Sequence, residues 1–449
     1  MSPKQRYKKL DPNPVQTTIE SLTHEGKGVA RVDGKTVFID DALAGEVVEF
    51  IYTRKKRDFD EGRLHRIMLP SKQRVEPACA HFGICGGCRL QHLDAAEQLR
   101  VKENVLLDNL RRVGKVEAET ILLPLSGLKW GYRRKARLGV RYVHKKKRVL
   151  VGFRERGSSF LADLDSCKVL HPSVGEKLTH LGEVIHKLSI YQQIPQIEVA
   201  VADNTTALIF RHLDALTEAD KNILIEFGKT HNFQIYLQPK GPDTISLLSS
   251  EWETEQNKPG LYYELRDQNL KVHFEPADFT QVNHDINIKM VKRTLELLRL
   301  DKNDILLELF CGLGNFTLPM AQQAKQIIAV EGNAGLILRA RENAIANGID
   351  NVEYHVANLM ENLDNMPWLK KDTYHKVLLD PPRSGAKEAL PYIAATGAAR
   401  IVYVSCHPGT LARDAAELVH EHGYHLRAAG VMDMFPHTAH IESIALFEK

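Results

Sequence analysis

The N-terminal part of the chain alternates apolar and polar residues in short runs separated by turn signals. Four such runs occupy residues 28–32, 35–39, 47–51 and 62–67. The first two flank Asp33 and Gly34, a dipeptide typical of tight hairpin turns. The pattern over residues 11–70 therefore predicts a small all-β barrel of the OB type, a fold that commonly binds nucleic acid.

The middle of the chain mixes two periodicities. Apolar spacing predicts a helix over Asp94–Arg112, whereas β-branched runs predict strands at Ile197–Val201 and Ala207–Phe210. A loop with Pro and Gly interrupts this region at Gln238–Pro242. The pattern predicts a central α+β domain, and it contains no catalytic signature.

After about residue 270, strands alternate with helices, which is typical of a doubly wound parallel sheet. The predicted strands are Ile305–Phe310, Gln326–Val330, Val352–Val356, Lys376–Leu379 and Ile401–Val404. Open sheets of this kind bind ligands at the carboxyl ends of their strands. We therefore expect the chemistry of this chain at the ends of these five strands.

The length of 449 residues exceeds what one hydrophobic core usually supports. The patterns divide it into a barrel at 1–75, a central domain at 76–270 and a Rossmann-like α/β domain at 271–449. No apolar stretch is long enough to cross a bilayer, and the N-terminus lacks the apolar core of a signal peptide. We expect a cytoplasmic protein with no membrane partner.

The net charge of +3 conceals a strong asymmetry along the chain. Residues 1–148 contain 31 Lys and Arg against 18 Asp and Glu, so they carry +13 and the rest carries −10. Basic clusters lie at 54–57, 133–135 and 145–148, interleaved with Tyr52, Trp130, Tyr132 and Tyr142. Cations beside aromatic rings favour a surface that holds phosphates and stacks bases.

Four cysteines form a spaced set: Cys79, Cys85, Cys88 and, far downstream, Cys167. Disulfides are disfavoured in the cytosol, so a metal or cluster site explains the close triplet better. Four thiolates suit structural zinc or an iron–sulfur cluster, and the spacing does not choose between them.

The first strand of the α/β domain runs into a turn that contains Gly312 and Gly314. Glycines there let a nucleoside approach the backbone closely. The next strand ends at Glu331, which is placed to accept from two ribose hydroxyls, and the third ends near Asn358, whose amide could contact an adenine. Because Thr317 replaces the last glycine of the dinucleotide motif, S-adenosylmethionine is the favoured ligand.

Cys406 ends the last predicted parallel strand, and a helix is predicted from Thr410 onwards. A helix N-terminus lowers the pKa of a thiol, which makes it a nucleophile. The alternative is that Cys406 is a small buried hydrophobic residue. Cys311, in the glycine turn, is assigned to packing.

Several motifs together carry a family resemblance. They are Phe279–Asn283, Leu309–Phe316, Asp380–Arg383, Ser405–Asp414 and Met434–Glu442. In these motifs the chain resembles the RNA uracil-C5 methyltransferases. The barrel, which is similar to a TRAM module, and the four cysteines resemble the bacterial branch that modifies 23S rRNA.

The resemblance implies a role for each matching position. The residues implied in S-adenosylmethionine binding are Gln281, Phe310, Asn315, Glu331, Asn358 and Asp380. It also implies Cys406 as the nucleophile, Glu442 as the base, and a [4Fe–4S] cluster held by Cys79, Cys85, Cys88 and Cys167. The implied partner is 23S rRNA, and we expect a monomer. One departure is His407, where the family pattern has Asn.

The implied chemistry explains the thiol. Carbon 5 of uracil becomes nucleophilic after a thiolate adds to carbon 6, and the base must leave its stack for this to occur. Three alternatives remain open: the same reaction on tRNA, an amino-group methyltransferase that uses Asp380–Pro382, and a non-enzymatic RNA-binding factor.

Overall fold

A computed structural model describes residues 10–248, 260–369 and 373–449. The chain divides into two compact units. The first comprises Met1–Val105 with Pro436–His440, and the second comprises Leu106–Phe435 with Ile441–Lys449. Residues 1–9, on which the expectation of no signal peptide rests, lie outside the described residues.

The first unit contains a six-stranded sheet with the order β1-β5-β6-β4-β3-β2. Its strands are β1 (Val15–Thr18), β2 (Ser21–Leu22), β3 (Gly28–Val32), β4 (Lys35–Asp40), β5 (Val47–Lys55) and β6 (Phe59–Leu69). The predicted hairpin is confirmed, because Asp33 and Gly34 both have positive φ between β3 and β4. Inward residues of alternate positions, such as Val37, Ile39 and Phe50, form the core of this sheet.

Helix α1 (Ala95–Asn109) follows, and it continues as a π-helical turn over Leu110–Gly114. The predicted helix over Asp94–Arg112 is thus confirmed to within a turn. The first strand of the second unit is a two-residue strand, β7 (Thr120–Ile121).

A second six-stranded sheet occupies the middle of the chain, with the order β13-β12-β11-β10-β8-β9. Its strands are β8 (Lys135–Val143), β9 (Arg148–Gly152), β10 (Gln196–Val201), β11 (Thr206–Arg211), β12 (Phe233–Gln238) and β13 (Ser246–Leu247). The helices of this region are α2 (Pro172–Gly175), α3 (Leu178–His186) and α4 (Glu218–His231). Both strands predicted here are confirmed. Strands β11 and β12 pair in parallel across α4, so this sheet includes one crossover unit.

The C-terminal region is preceded by a two-stranded hairpin, β14 (Leu261–Leu265) and β15 (Leu270–Phe274). The large sheet that follows contains β16 (Ile305–Leu309), β17 (Gln326–Glu331), β18 (Val352–Val356), β19 (Lys376–Leu379), β20 (Arg400–Ser405), β21 (His425–Met432) and β22 (Glu442–Glu448). Its helices are α5 (His284–Leu298), α6 (Thr317–Ala321), α7 (Ala334–Ala346), α8 (Leu390–Ala395) and α9 (Pro408–His420).

The large sheet has the order β18-β17-β16-β19-β20-β22-β21-β7. Strands β16 to β20 are parallel, which confirms the predicted doubly wound architecture. Strand β22 inserts antiparallel beside β20. The sequence did not predict that β7 adds to the far edge, parallel to β21. In the described parts of the chain, no helix is long and apolar enough to cross a membrane.

Candidate active site

Cys406 and Glu442 lie at the same end of two neighbouring strands. Strand β20 ends at Ser405, which pairs with Ser443 of β22, and the Ser443 hydroxyl donates to the Ser405 carbonyl over 3.2 Å. Cys406 is the next residue on one strand and Glu442 the preceding residue on the other. The antiparallel insertion of β22 therefore brings together two residues that are 36 positions apart in the chain.

Burial and neighbouring charges control this pair. Burial, followed by the Glu442 and Asp380 carboxyls, raises the pKa of the Cys406 thiol to about 11, whereas Arg383 lowers it. Burial and Asp380 raise the pKa of Glu442 well above its usual value, and Arg383 again opposes the shift. The charges of Asp380 and Arg383 thus act in opposite directions on the pKa of both Cys406 and Glu442.

The expectation that helix α9 lowers the pKa of the Cys406 thiol is wrong for the protein alone. The helix begins at Pro408, two residues beyond the thiol and two residues before the predicted start at Thr410. Burial and two carboxyls nevertheless raise the pKa of this thiol, because desolvation penalises a thiolate strongly. Cys406 remains partly exposed, unlike Cys311, which lies in the hydrophobic core as expected.

His407 replaces the expected Asn without loss of the helix cap. Its Nδ1 accepts from the backbone N–H of Thr410 over 3.2 Å, as the amide oxygen of an Asn cap would. Its backbone N–H donates to the Ser405 hydroxyl over 3.2 Å. The chain therefore turns from strand into helix directly after the thiol.

The glycine turn after β16 adopts a left-handed backbone that glycine takes up without strain. Phe310, Gly312 and Gly314 all have positive φ, at 66°, 54° and 92°. The N–H of Gly312 donates to Glu331 Oε2 over 3.2 Å, which places the end of β17 beside the turn. A Cβ on Gly312 would meet no heavy atom within 4 Å, so open space adjoins the turn.

Asn315 belongs to a partly buried amide network beside this turn. Its Oδ1 accepts from the Tyr263 hydroxyl at 2.9 Å and from Asn287 Nδ2 at 2.8 Å. Asn287 and Gln281 line one small cavity, together with Tyr263. Asn287, which bonds Asn315, thus lines the same cavity as Gln281.

The remaining proposed cofactor residues lie at the ends of their strands. Asn358 follows β18, is exposed, and donates to Glu361 over 2.6 Å. Asp380 follows β19, and burial raises its pKa to about 7. The carboxyl ends of β16 to β19 thus carry Phe310, Glu331, Asn358 and Asp380, which fits a nucleoside-bearing ligand.

The sequence motifs included Arg383 but gave it no role. The structure identifies it as the cation whose charge lowers the pKa of both Cys406 and Glu442. Its position three residues after Asp380 was the available signal. Tyr263 and Asn287 were missed, because nothing in a strand or helix pattern indicates which amide a hydroxyl will meet.

The four-cysteine site is not confirmed. Cys79, Cys85 and Cys88 belong to the first unit and Cys167 to the second, and all four are partly exposed and outside any disulfide. This donor set suits zinc or an iron–sulfur cluster chemically. However, no three or more His, Cys, Asp or Glu side chains within residues 10–248, 260–369 and 373–449 are arranged to hold a metal ion.

The basic clusters differ in how they are used. Those at 54–57 and 145–148 are largely exposed, and Lys55 lies over the Tyr52 ring at 4.2 Å. Within the cluster at 133–135, the prediction of an open cationic surface is wrong for Arg134 and Lys135. There Arg134 pairs with Asp203, and Lys135 is mostly buried and donates to the Pro276 carbonyl. Burial lowers the pKa of Lys135 to about 8.

Comparison with known proteins gives a consistent family. The family model described as tRNA (Uracil-5-)-methyltransferase matches residues 260–449, and the TRAM domain model matches residues 15–64. Two relatives are named "23S rRNA (uracil(1939)-C(5))-methyltransferase RlmD". That of Nitrosococcus oceani is 52% identical, covering 99% of this chain and 98% of its own length. That of Francisella tularensis subsp. novicida is 50% identical and covers both chains fully, at 100%.

A solved structure supports the fold. The tRNA (uracil-54, C5)-methyltransferase of Pyrococcus abyssi, in complex with S-adenosyl-L-homocysteine, superposes with a TM-score of 0.72. It covers 96% of this chain and 99% of its own, at 24% identity. The full-length relatives and the strand-end site lead to one conclusion: the chain belongs to the RNA (uracil-C5)-methyltransferase family, in the branch of the 23S rRNA enzymes.

Proposed function

We propose that this protein methylates carbon 5 of uridine 1939 in 23S rRNA, the substrate in the names of its full-length relatives. The reaction would pass through a covalent adduct between Cys406 and carbon 6 of a flipped base. The main support is the shared position of Cys406 and Glu442 at adjoining strand ends, beside Asp380 and Arg383.

Each residue has a distinct task in this reaction. Cys406 sulfur adds to carbon 6 of uracil, which makes carbon 5 nucleophilic. S-adenosylmethionine, when bound, supplies the methyl group. Glu442 then removes the proton from carbon 5, and the sulfur–carbon bond breaks. The raised pKa of Glu442 makes its carboxylate a stronger base, and the Arg383 cation favours the Cys406 thiolate.

The direct test is trapping with RNA that carries fluorine on carbon 5 of the target uridine. Fluorine blocks proton removal, so the native protein with S-adenosylmethionine should form an adduct that survives denaturing electrophoresis. Cys406→Ala should form none. Glu442→Gln, with ordinary RNA, should accumulate the same type of adduct because only the last step is blocked. A peptide map that places the link elsewhere than Cys406 would refute the mechanism.

Transfer RNA is the main rival substrate, because the family model and the structural neighbour carry tRNA names. Full-length identity to proteins named for 23S rRNA favours the ribosomal substrate. Incubation of the purified protein with each RNA separately, followed by nucleoside analysis, decides between them. Methylation of tRNA alone would reject our proposal.

Two further alternatives predict different results. An amino-group methyltransferase needs no thiol, so full activity in Cys406→Ala would support it. A non-enzymatic binding factor would bind RNA but give no calorimetric signal with S-adenosylmethionine. Loss of methylation in Cys406→Ala, together with cofactor binding, would reject both.

We also propose that Cys79, Cys85, Cys88 and Cys167 bind a [4Fe–4S] cluster, on the basis of the close cysteine triplet in the sequence and of the family resemblance. Anaerobic purification followed by iron, sulfide and zinc analysis tests this. About four iron and four sulfide per chain are expected. Zinc without iron would replace the cluster with a structural zinc site.

The three-domain division at 1–75, 76–270 and 271–449 likewise remains a proposal. Limited proteolysis with mass analysis of the fragments tests it. Protected fragments that end near residues 75 and 270 are expected, since domain boundaries are cut before cores. Protection across residue 270 would place the hairpin β14–β15 with the C-terminal domain instead.

A further inference from the structure

The amide of Asn315 has both lone pairs of its oxygen occupied by the protein. Tyr263 donates its hydroxyl to Asn315 Oδ1 over 2.9 Å, and Asn287 donates its Nδ2 to the same atom over 2.8 Å. In return, Asn315 Nδ2 donates to Asn287 Oδ1 over 2.9 Å. An amide offers two acceptor sites and two donor hydrogens, so one N–H is left.

The two partners of Asn315 are held rigidly. Tyr263 lies on β14 and is 7% exposed, and Asn287 lies on α5 and is 2% exposed. Burial raises the pKa of the Tyr263 hydroxyl, so it stays protonated and remains a donor. A hydrogen bond between buried polar groups fixes a side chain more firmly than a hydrogen bond that is exposed to water.

The place of this network links it to the cofactor site. Asn315 is partly exposed and follows the glycine turn by one residue. Tyr263, Asn287 and Gln281 line the same cavity, which has room for about one water molecule. The network therefore includes one proposed cofactor residue, Asn315, and borders a cavity lined by a second, Gln281.

We infer that Tyr263 and Asn287 are positioning residues that orient Asn315 so that it offers S-adenosylmethionine a single N–H donor. Asn315 would then recognise an acceptor atom of the cofactor and not one of its donors. This inference rests on the proposed role of Asn315 in cofactor binding. No residue pattern in the sequence connects these three positions.

The test is a double-mutant cycle read out by calorimetry with S-adenosylmethionine. Tyr263→Phe removes one oxygen and should raise the dissociation constant about fivefold to tenfold, the usual range for one hydrogen bond. In an Asn315→Ala background, the same change should alter the constant by less than twofold, because its target is gone. Tyr262→Phe, one residue away and partly exposed, is the matched control and should have no effect.

Steady-state kinetics separates positioning from general damage. Tyr263→Phe should raise the KM for S-adenosylmethionine while kcat at saturating cofactor and RNA affinity stay within twofold of the native values. Asn287→Ala should behave in the same way. An unchanged cofactor affinity in Tyr263→Phe, with a large loss in Asn315→Ala, would overturn this inference alone.

If Asn315→Ala itself leaves cofactor affinity unchanged, both the inference and the proposed role of Asn315 are overturned. The fluorouridine adduct at Cys406 reports on the reaction independently. The adduct experiment therefore tests the methyltransferase proposal independently of the positioning of Asn315.

Discussion

Glu308 is a fully buried carboxyl on the strand that leads into the glycine turn. It is 1% exposed and accepts from the Thr317 hydroxyl over 2.5 Å. Burial, with Asp380 and Glu331 nearby, raises its pKa to about 8. The unfolded chain releases this proton near pH 4.5, whereas the folded chain keeps it. The contribution of Glu308 to the free energy of unfolding is therefore fully present below about pH 4.5 and is lost as the pH rises to about 8.

Glu308→Gln should remove this pH dependence, because an amide keeps an acceptor for Thr317 but has no proton to lose. The free energy of unfolding of the variant minus that of the native protein should be more favourable at pH 8 than at pH 5, by on the order of 3 kcal/mol. Urea unfolding at both values measures this. Glu388→Gln, at an exposed position, is the control. Equal differences at the two pH values would refute the buried-carboxyl explanation.

His407 can be tested as the cap of α9. Removing the acceptor with His407→Ala should cost about 1 kcal/mol of unfolding free energy, as for other N-caps. His407→Asn should retain full stability, since its amide oxygen can accept from the same Thr410 N–H. Denaturant unfolding of the two variants compares them. If Asn proves as damaging as Ala, the histidine ring contributes something other than the cap.

At the scale of elements, helix α9 is hydrogen-bonded to the loop that contains Arg383. The buried Asp414 accepts from the Tyr403 hydroxyl at 2.6 Å and from the Ala386 N–H at 2.8 Å, and it pairs with Arg413. The Thr410 hydroxyl donates to the Arg383 carbonyl over 3.2 Å. The helix that follows the thiol and the loop that holds the nearby cation are thus one hydrogen-bonded assembly.

Asp414→Ala should break this assembly. It leaves a buried hydroxyl and a backbone N–H without their acceptor and removes one of the acceptors of the Arg413 guanidinium, so a loss of about 3 kcal/mol in unfolding stability is expected. Adduct formation with fluorouridine RNA should slow in the same variant, at a temperature where it is still folded. Tyr403→Phe removes a single bond and should cost only about 1 kcal/mol. Glu421→Ala, at the exposed end of the same helix, should change neither property.

At the scale of the whole molecule, the charge asymmetry predicts how RNA binding responds to salt. Lys55 and Arg57 are exposed in the first unit, which lies within the +13 portion of the chain. Replacing both with Ala should weaken RNA binding and reduce the slope of log K against log salt concentration by about 1 to 2. Lys221 and Lys229 on α4 are a matched pair, each already bonded to a Glu. Their replacement should leave the slope unchanged, and fluorescence anisotropy over a salt series measures both.

Most of the elements could be predicted from sequence. Local periodicity fixed the strands β16 to β20 and the hairpin at Asp33 and Gly34, because side-chain direction follows directly from residue spacing. The motifs likewise indicated the strand-end residues Glu331, Asp380 and Cys406, since parallel strands end on one edge. The placement of β7 at the sheet edge could not be predicted, because a two-residue strand has no period.

The sequence by itself determined the architecture of the α/β region, the family and the position of the thiol. Only the tertiary structure decided the pKa of that thiol and the role of His407 as the helix cap in place of Asn. It also decided that Arg134 and Lys135 bond to other residues of the protein. The physical reason is that pKa values and hydrogen-bond partners depend on burial and on groups distant in the chain. Residue spacing encodes directions of side chains, whereas the surroundings of Cys406, from Asp380 to Glu442, exist only after the strands have assembled.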